Sequence, residues 1–390
     1  KGTIFLFLYF IYKYIEIIFL SLYDNHAKGK RDDIMFGFSI YLNQPLTDSK
    51  RVYIEQMAAQ GFQGIFTSLQ IPEENSNEYK TYLTSLGSVA QANHLDLMVD
   101  ISLESLSKAG FSLTNLEQVK AVGVTGLRID GGIDNQKIAE LSQTIRVGLN
   151  ASTITEEDVR ELQNYQANFN KIEAWHNYYP RPETGISAEF FSQKNAWLKQ
   201  LGLKTVAFVP GDENLRQPLF EGLPTLEDHR KVTPLAGALD LFQMQTDSVY
   251  IGDEGLSQRA REQFLMYQEE QKILLFAEEV QSGYEQWVIR SHVNRKDVAR
   301  DVFRSEQARL WGIKHIKAEN CVKRVRGSIT MDNQNYGRYL GELQIAKRDL
   351  AADKKVNVIG KICHDDLPLL QHLNSAQEIE IRKNKKRIEE

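Results

Sequence analysis

Only two cysteines, Cys321 and Cys363, occur in 390 residues. They are too few and too far apart for a disulfide framework or a Cys-x-x-Cys metal site, which fits a reducing compartment. No P-loop, GxGxxG, HExxH or GxSxG element stands in a usable context, so nucleotide binding, zinc peptidase and serine hydrolase chemistry lose their usual sequence support. His364-Asp365-Asp366 has no partners at metal-ligand spacing, and neither a metal nor a cofactor is expected. An excess of positive charge is also missing. The 47 basic and 52 acidic residues leave a formal net charge of -5, whereas a general nucleic-acid binder needs a basic face. Low-complexity segments are absent, and nothing repeats beyond a strand–helix period.

The remaining composition is ordinary for a globular chain, 42% hydrophobic and 25% charged, at a length that predicts two domains with ample core. The N-terminus departs from this. Residues 4–23 (IFLFLYFIYKYIEIIFLSLY) are apolar enough for a membrane helix, yet Lys13 and Glu16 interrupt them at a cost. Neither a leading positive region nor a small-residue cleavage site marks a secretory signal. Met35 opens the alternating run MFGFSIYL, so residues 1–34 are expected to be an upstream extension and the fold to start at Met35. A membrane anchor is the competing reading.

From Met35 to about residue 254 one theme recurs: a short β-rich run, a turn, then a segment of helical period. The eight runs are 36–42, 64–70, 96–102, 126–132, 146–152, 171–177, 204–210 and 247–253. Helix starts carry capping residues, such as Thr155 before Glu156-Glu157-Asp158 and Ser187 before Glu189. Eight βα units in roughly 220 residues predict a (β/α)₈ barrel, with a doubly wound sheet as runner-up. Residues 255–375 then read as a smaller, mostly-β domain, and 376–390 as a charged, frayed tail.

Alternation along the strands assigns their faces. Leu127 and Ile129 alternate with Arg128 and Asp130, and Leu97, Val99 and Ile101 with Met98, Asp100 and Ser102. With the apolar set against the helices, the polar set lies inside. The same parity puts Ser39, Tyr41 and Asn43, Asn150 and Ser152, and Glu173, Trp175 and Asn177 inside. Polar residues at the carboxyl ends of barrel strands mark a functional mouth.

Asp100, Asp130 and Glu173 are therefore the candidate catalytic carboxylates. Pairs in glycosidases stand about 5–5.5 Å apart for nucleophilic attack and about 6.5–9.5 Å for inversion. The competing reading is an ion pair, with Arg128 on the same face. The densest motif is WHNYYPRPETG, residues 175–185. Trp175 and Tyr179 offer flat platforms for the apolar faces of sugars, while His176, Asn177 and Arg181 offer hydrogen bonds and charge in a loop stiffened by Pro180 and Pro182. A rigid loop whose aromatics pack on the barrel is the alternative. In LPTLEDHR, Glu227, His229 and Arg230 could bind an anion near the mouth or form a solvated helical turn. Tyr41, Arg128 and Asn150 complete the candidate substrate-binding set.

At HNYYPRPETG, GLRIDGG, GLPTLEDHR and RGSITMDNQNYGRYLGELQI the sequence resembles a bacterial family associated with 6-phospho-N-acetylmuramidase activity. The resemblance spans about Met35 to Leu373. It implies an N-terminal TIM barrel, a C-terminal cyclophilin-like β domain and cytoplasmic hydrolysis of the β-1,4 bond between N-acetylmuramic acid 6-phosphate and N-acetylglucosamine in cell-wall recycling. A cyclophilin-like shape does not imply prolyl isomerase activity. The expected partner is that phosphorylated amino-sugar disaccharide, with no nucleic acid and no membrane; oligomeric state is left open. A non-catalytic phosphosugar sensor is the alternative from another class. An aldolase or isomerase would want a strand-end lysine or a metal cluster, which the strand ends lack.

Overall fold

The computed structural model describes residues 35–70 and 78–384. The expected extension 1–34, with its membrane-anchor alternative, lies outside the described residues. Among the described residues no helix is long and apolar enough to cross a membrane.

The eight predicted strands form a closed barrel in sequential order: β1 (Met35–Ser39), β2 (Gly64–Ser68), β3 (Asp96–Ile101), β4 (Gly126–Ile129), β5 (Arg146–Asn150), β6 (Ile172–Trp175), β7 (Lys204–Val209) and β8 (Ser248–Ile251). Each starts within one residue of its sequence-predicted start and ends earlier, because the polar residues after the strand turn into the mouth loops. Helix starts follow their caps. The Thr155 hydroxyl accepts from Asp158 N while the Asp158 carboxylate accepts from Thr155 N, and Ser187 accepts from Phe190 N. At the seam the Ser39 hydroxyl donates to Ile251 O at 2.8 Å.

Parity is visible in the packing. Phe36 lies outside the sheet, its ring 4.9 Å from Phe264 and 6.1 Å from Phe62. Inside, Phe66, Trp175, Phe208 and Tyr250 form an aromatic layer, with Trp175 at 4.8 Å from Tyr250 and 5.8 Å from Phe66. Two glycines make room for it. A Cβ on Gly37 would lie 2.1 Å from the Tyr250 ring, and one on Gly148 would lie 2.8 Å from Trp175.

The second domain is a seven-stranded sheet of order β10-β15-β9-β14-β12-β13-β11. Its strands are β9 (Ile273–Val280), β10 (Ser291–Val293), β11 (Val302–Arg304), β12 (Ser328–Asp332), β13 (Leu343–Ala346), β14 (Val356–Ile362) and β15 (Glu378–Lys383). The last of these corrects the expectation of a frayed tail from residue 376. In EIEIRK, Ile379 and Ile381 are fully buried while Glu378, Glu380 and Arg382 take the other face, a period of two hidden by the charge count. The strand runs parallel to β9 and antiparallel to β10.

Candidate active site

Side chains at the carboxyl ends of β3, β4 and β6 meet on one guanidinium. Arg128 Nη1 donates to Asp100 Oδ1 at 2.6 Å and to Asp130 Oδ1 at 3.2 Å, and Nη2 donates to Asn177 Oδ1. The two carboxylate oxygens thus lie no farther apart than those two contacts laid end to end. Asp100 is buried, and its second oxygen accepts from Ser68 Oγ at 2.9 Å and Gln70 Nε2 at 3.1 Å. Burial pushes its carboxyl above the usual range, opposed by Arg128. Asp130 has the opposite surroundings. Its side chain is 42% exposed, and it is steadied by Asn150 Nδ2 at 3.1 Å. Among the described residues, and apart from the adjoining ones in the chain, no atom comes within 4 Å of a Cβ placed on the neighbouring Gly131 or Gly132. Space is therefore open beside Asp130. These groups line a cavity of about 230 Å³, with Phe66, Phe208, Tyr178 and Arg216 as further walls.

Glu173 does not join them. It points inward, but on the amino-terminal side of the aromatic layer, where Trp175 Nε1 donates to its Oε2 at 2.9 Å and Arg146 stands at 3.7 Å. Arg146 also pairs with Asp96, and both are the first residues of their strands. An alternation pattern gives the face of a residue and not its height along the barrel axis. For the same reason Trp175 is no sugar platform: it is 1% exposed, inside the layer.

The residues after β6 divide between two tasks. His176 borders the same cavity, but its ring packs on Phe191, donates to Asn195 Oδ1 and is fully buried, and burial lowers its pKa to about 4. Arg181 is exposed, and Tyr179 is tied through its backbone N to Pro224 O. In LPTLEDHR, Arg230 is saturated by the protein. Its Nε and Nη2 reach the two Glu227 oxygens at 2.6 Å, and its other donors reach the carbonyls of Tyr179, Pro180, Arg181, Glu221 and Gly222. Glu227 in turn accepts from Glu183 N and Gly185 N. This pair clamps the mouth loops together and leaves no donor free for an anion. His229 faces Asp240 at 3.3 Å, and Asp240 also meets His372 of the second domain at 3.4 Å.

Several site residues escaped the sequence reading. Phe66, Ser68 and Gln70 follow from the same alternation applied to GIFTSLQ. Tyr41 lies inside, as its parity predicts, with its ring 6.4 Å from that of Tyr178, the residue before Tyr179 in the same motif. Asp253, 0% exposed, accepts from Gly211 N, Arg216 N and Leu223 N, fixing the β7 loop at both ends. Nothing periodic marks Arg216 or Asp253.

Two sequence profiles described as 6-phospho-N-acetylmuramidase, N-terminal and C-terminal, match residues 36–265 and 273–382. A crystal structure of a conserved protein from a locus in Enterococcus faecalis, with an unknown function, is 46% identical with a TM-score of 0.84, covering 90% of this chain and 96% of that one. An uncharacterized B. cereus protein, 24% identical at a TM-score of 0.69 over 89% of this chain and 99% of its own, has the same fold. No curated protein matches. With both profiles spanning the barrel and the β domain, the chain belongs to the 6-phospho-N-acetylmuramidase family.

Proposed function

We propose that the barrel mouth hydrolyses the glycosidic bond between N-acetylmuramic acid 6-phosphate and N-acetylglucosamine, in the cytoplasm, as a step of cell-wall recycling. The observation that carries this reading is the pairing of an exposed carboxyl, Asp130, with a buried one, Asp100, on Arg128 beside open space. Asp130 is the proton donor. It is the reachable carboxyl of the pair, and a sugar lying over it brings the bridging oxygen within hydrogen-bond reach. Its proton passes to the bridging oxygen as the C1–O bond breaks, and water finally supplies the hydroxyl at C1 and returns the proton. Asp100 is held by three donors, so its task is to fix Arg128 and the charge balance of the site rather than to attack. The 2-acetamido group of the substrate takes the place of a protein nucleophile. The low cysteine count fits a reducing cytoplasm.

The test is release of N-acetylglucosamine from the phosphorylated disaccharide by the purified protein. Release supports the hydrolase. Tight binding with no release would move the reading to a phosphosugar sensor.

A further inference from the structure

Arg216 borders both the carboxylate cavity and a larger neighbouring one of about 890 Å³ lined by Tyr41, Thr47, Ser49, Lys50 and Glu254. Its side chain lies among tyrosines. Nη1 donates to the Tyr178 hydroxyl at 2.9 Å, and Cζ stands 4.8 Å from the centre of the Tyr41 ring and 5.5 Å from that of Tyr178. Asp253 holds the backbone N–H of Arg216 and not its guanidinium, so the residue is anchored without being neutralised. No carboxylate forms an ion pair with it among the described residues. Lys50 and Glu254, the other charges of the larger cavity, meet at 2.8 Å and cancel. One positive charge, fixed in place and partly shielded from water, thus has no carboxylate in direct contact with its guanidinium, and the buried Asp253 acts on it only at longer range.

A guanidinium in that state matches an anion with several acceptor oxygens. In the smaller cavity Asp100 and Asp130 share Arg128, whereas Arg216, on the border with the larger cavity, has no carboxylate in contact with its guanidinium. A ligand with a neutral acetal at one end and an anion at the other is oriented by that arrangement. We propose that Arg216 anchors an anion subsite which receives the phosphate monoester of the sugar bound over Asp130, with Lys50 and the Thr47 and Ser49 hydroxyls as further donors. The choice of sugar rests on the proposed function; the anion subsite rests on Arg216.

Calorimetric titration with N-acetylglucosamine, N-acetylglucosamine 6-phosphate and unphosphorylated N-acetylmuramic acid separates a phosphate from a carboxylate as the anion. The intact protein is expected to bind the 6-phosphate at least about thirtyfold more tightly than N-acetylglucosamine, and Arg216→Met to lose most of that ratio, as truncation of one partner of a charged hydrogen bond does. Arg216→Lys, which keeps the charge without the fork, should fall between. If Arg216→Met does not fold, Arg216→Lys and Lys50→Met are read by the same ratio. An unchanged ratio in the variants overturns the subsite, as does a wild type without preference for the 6-phosphate. So does a loss confined to N-acetylmuramic acid, which would assign Arg216 to the lactyl carboxylate. The two readings fail separately. A wild type that prefers the 6-phosphate through Arg216 but releases no sugar from the disaccharide overturns the hydrolase alone. Sugar release whose phosphate preference survives Arg216→Met overturns the subsite alone.

Discussion

Asp100 and Asp130 meet on a single nitrogen, Nη1 of Arg128, at 2.6 and 3.2 Å, yet one is buried and the other open to the mouth. Two carboxyl groups around one cation can differ in role when their surroundings differ, and the proposed function gives structure to the buried one and proton transfer to the reachable one.

Amide substitution should therefore split them. Asp130→Asn is expected to lower turnover by about 10²–10⁴ with little change in melting temperature, the usual share of positioned proton transfer. Asp100→Asn leaves Arg128 without its nearest buried anion and should cost on the order of 3–5 kcal/mol of stability. Turnover and denaturant melts of both variants check this. An Asp130→Asn enzyme within a few-fold of wild type would remove Asp130 from the chemistry.

Glu173 and Trp175 supply the contrast. Glu173→Gln should leave turnover within a few-fold of wild type, because the aromatic layer separates it from the mouth. Trp175→Ala should cost about 3–5 kcal/mol through the cavity it opens. A large rise in KM for Trp175→Phe, with stability preserved, would restore the sugar-platform role.

Product stereochemistry tests the attacking group. With Asp100 held by Arg128, Ser68 and Gln70, acetamido participation predicts retention at C1, followed by proton NMR immediately after mixing. An inverted first product would indicate direct attack by water.

The loop clamp predicts an acid limb. Hydrogen bonds from Arg230 hold the Glu227 carboxyl down at about 2, against an ordinary value of 4.5, with the Glu183 and Gly185 amides adding to the effect. A folded value below the unfolded one means that folding favours the ionised form. The contribution is complete above about pH 4.5 and is lost as pH falls towards about 2. Hydrogen exchange of residues 178–187, compared at each pH with Glu227→Gln, should show protection falling through that window in wild type and low throughout in the variant. Equal protection in the two proteins would show that the clamp does not hold the loop.

The sequence by itself determined the eight βα units, the inward face of Asp100, Arg128 and Asp130, and the motifs of the family, because a period of two and a cap residue are local and each strand carries its own. Only the tertiary structure decided depth and partnership. Glu173 and Trp175 have the right face at the wrong height, since alternation along one strand says nothing of how strands are staggered around a closed barrel. Arg230 and Arg216 are both loop arginines in the sequence. Folding surrounds the first with Glu227 and five carbonyls and leaves the second among tyrosines, and it is the acceptors brought from distant segments that decide which cation is structural and which is free.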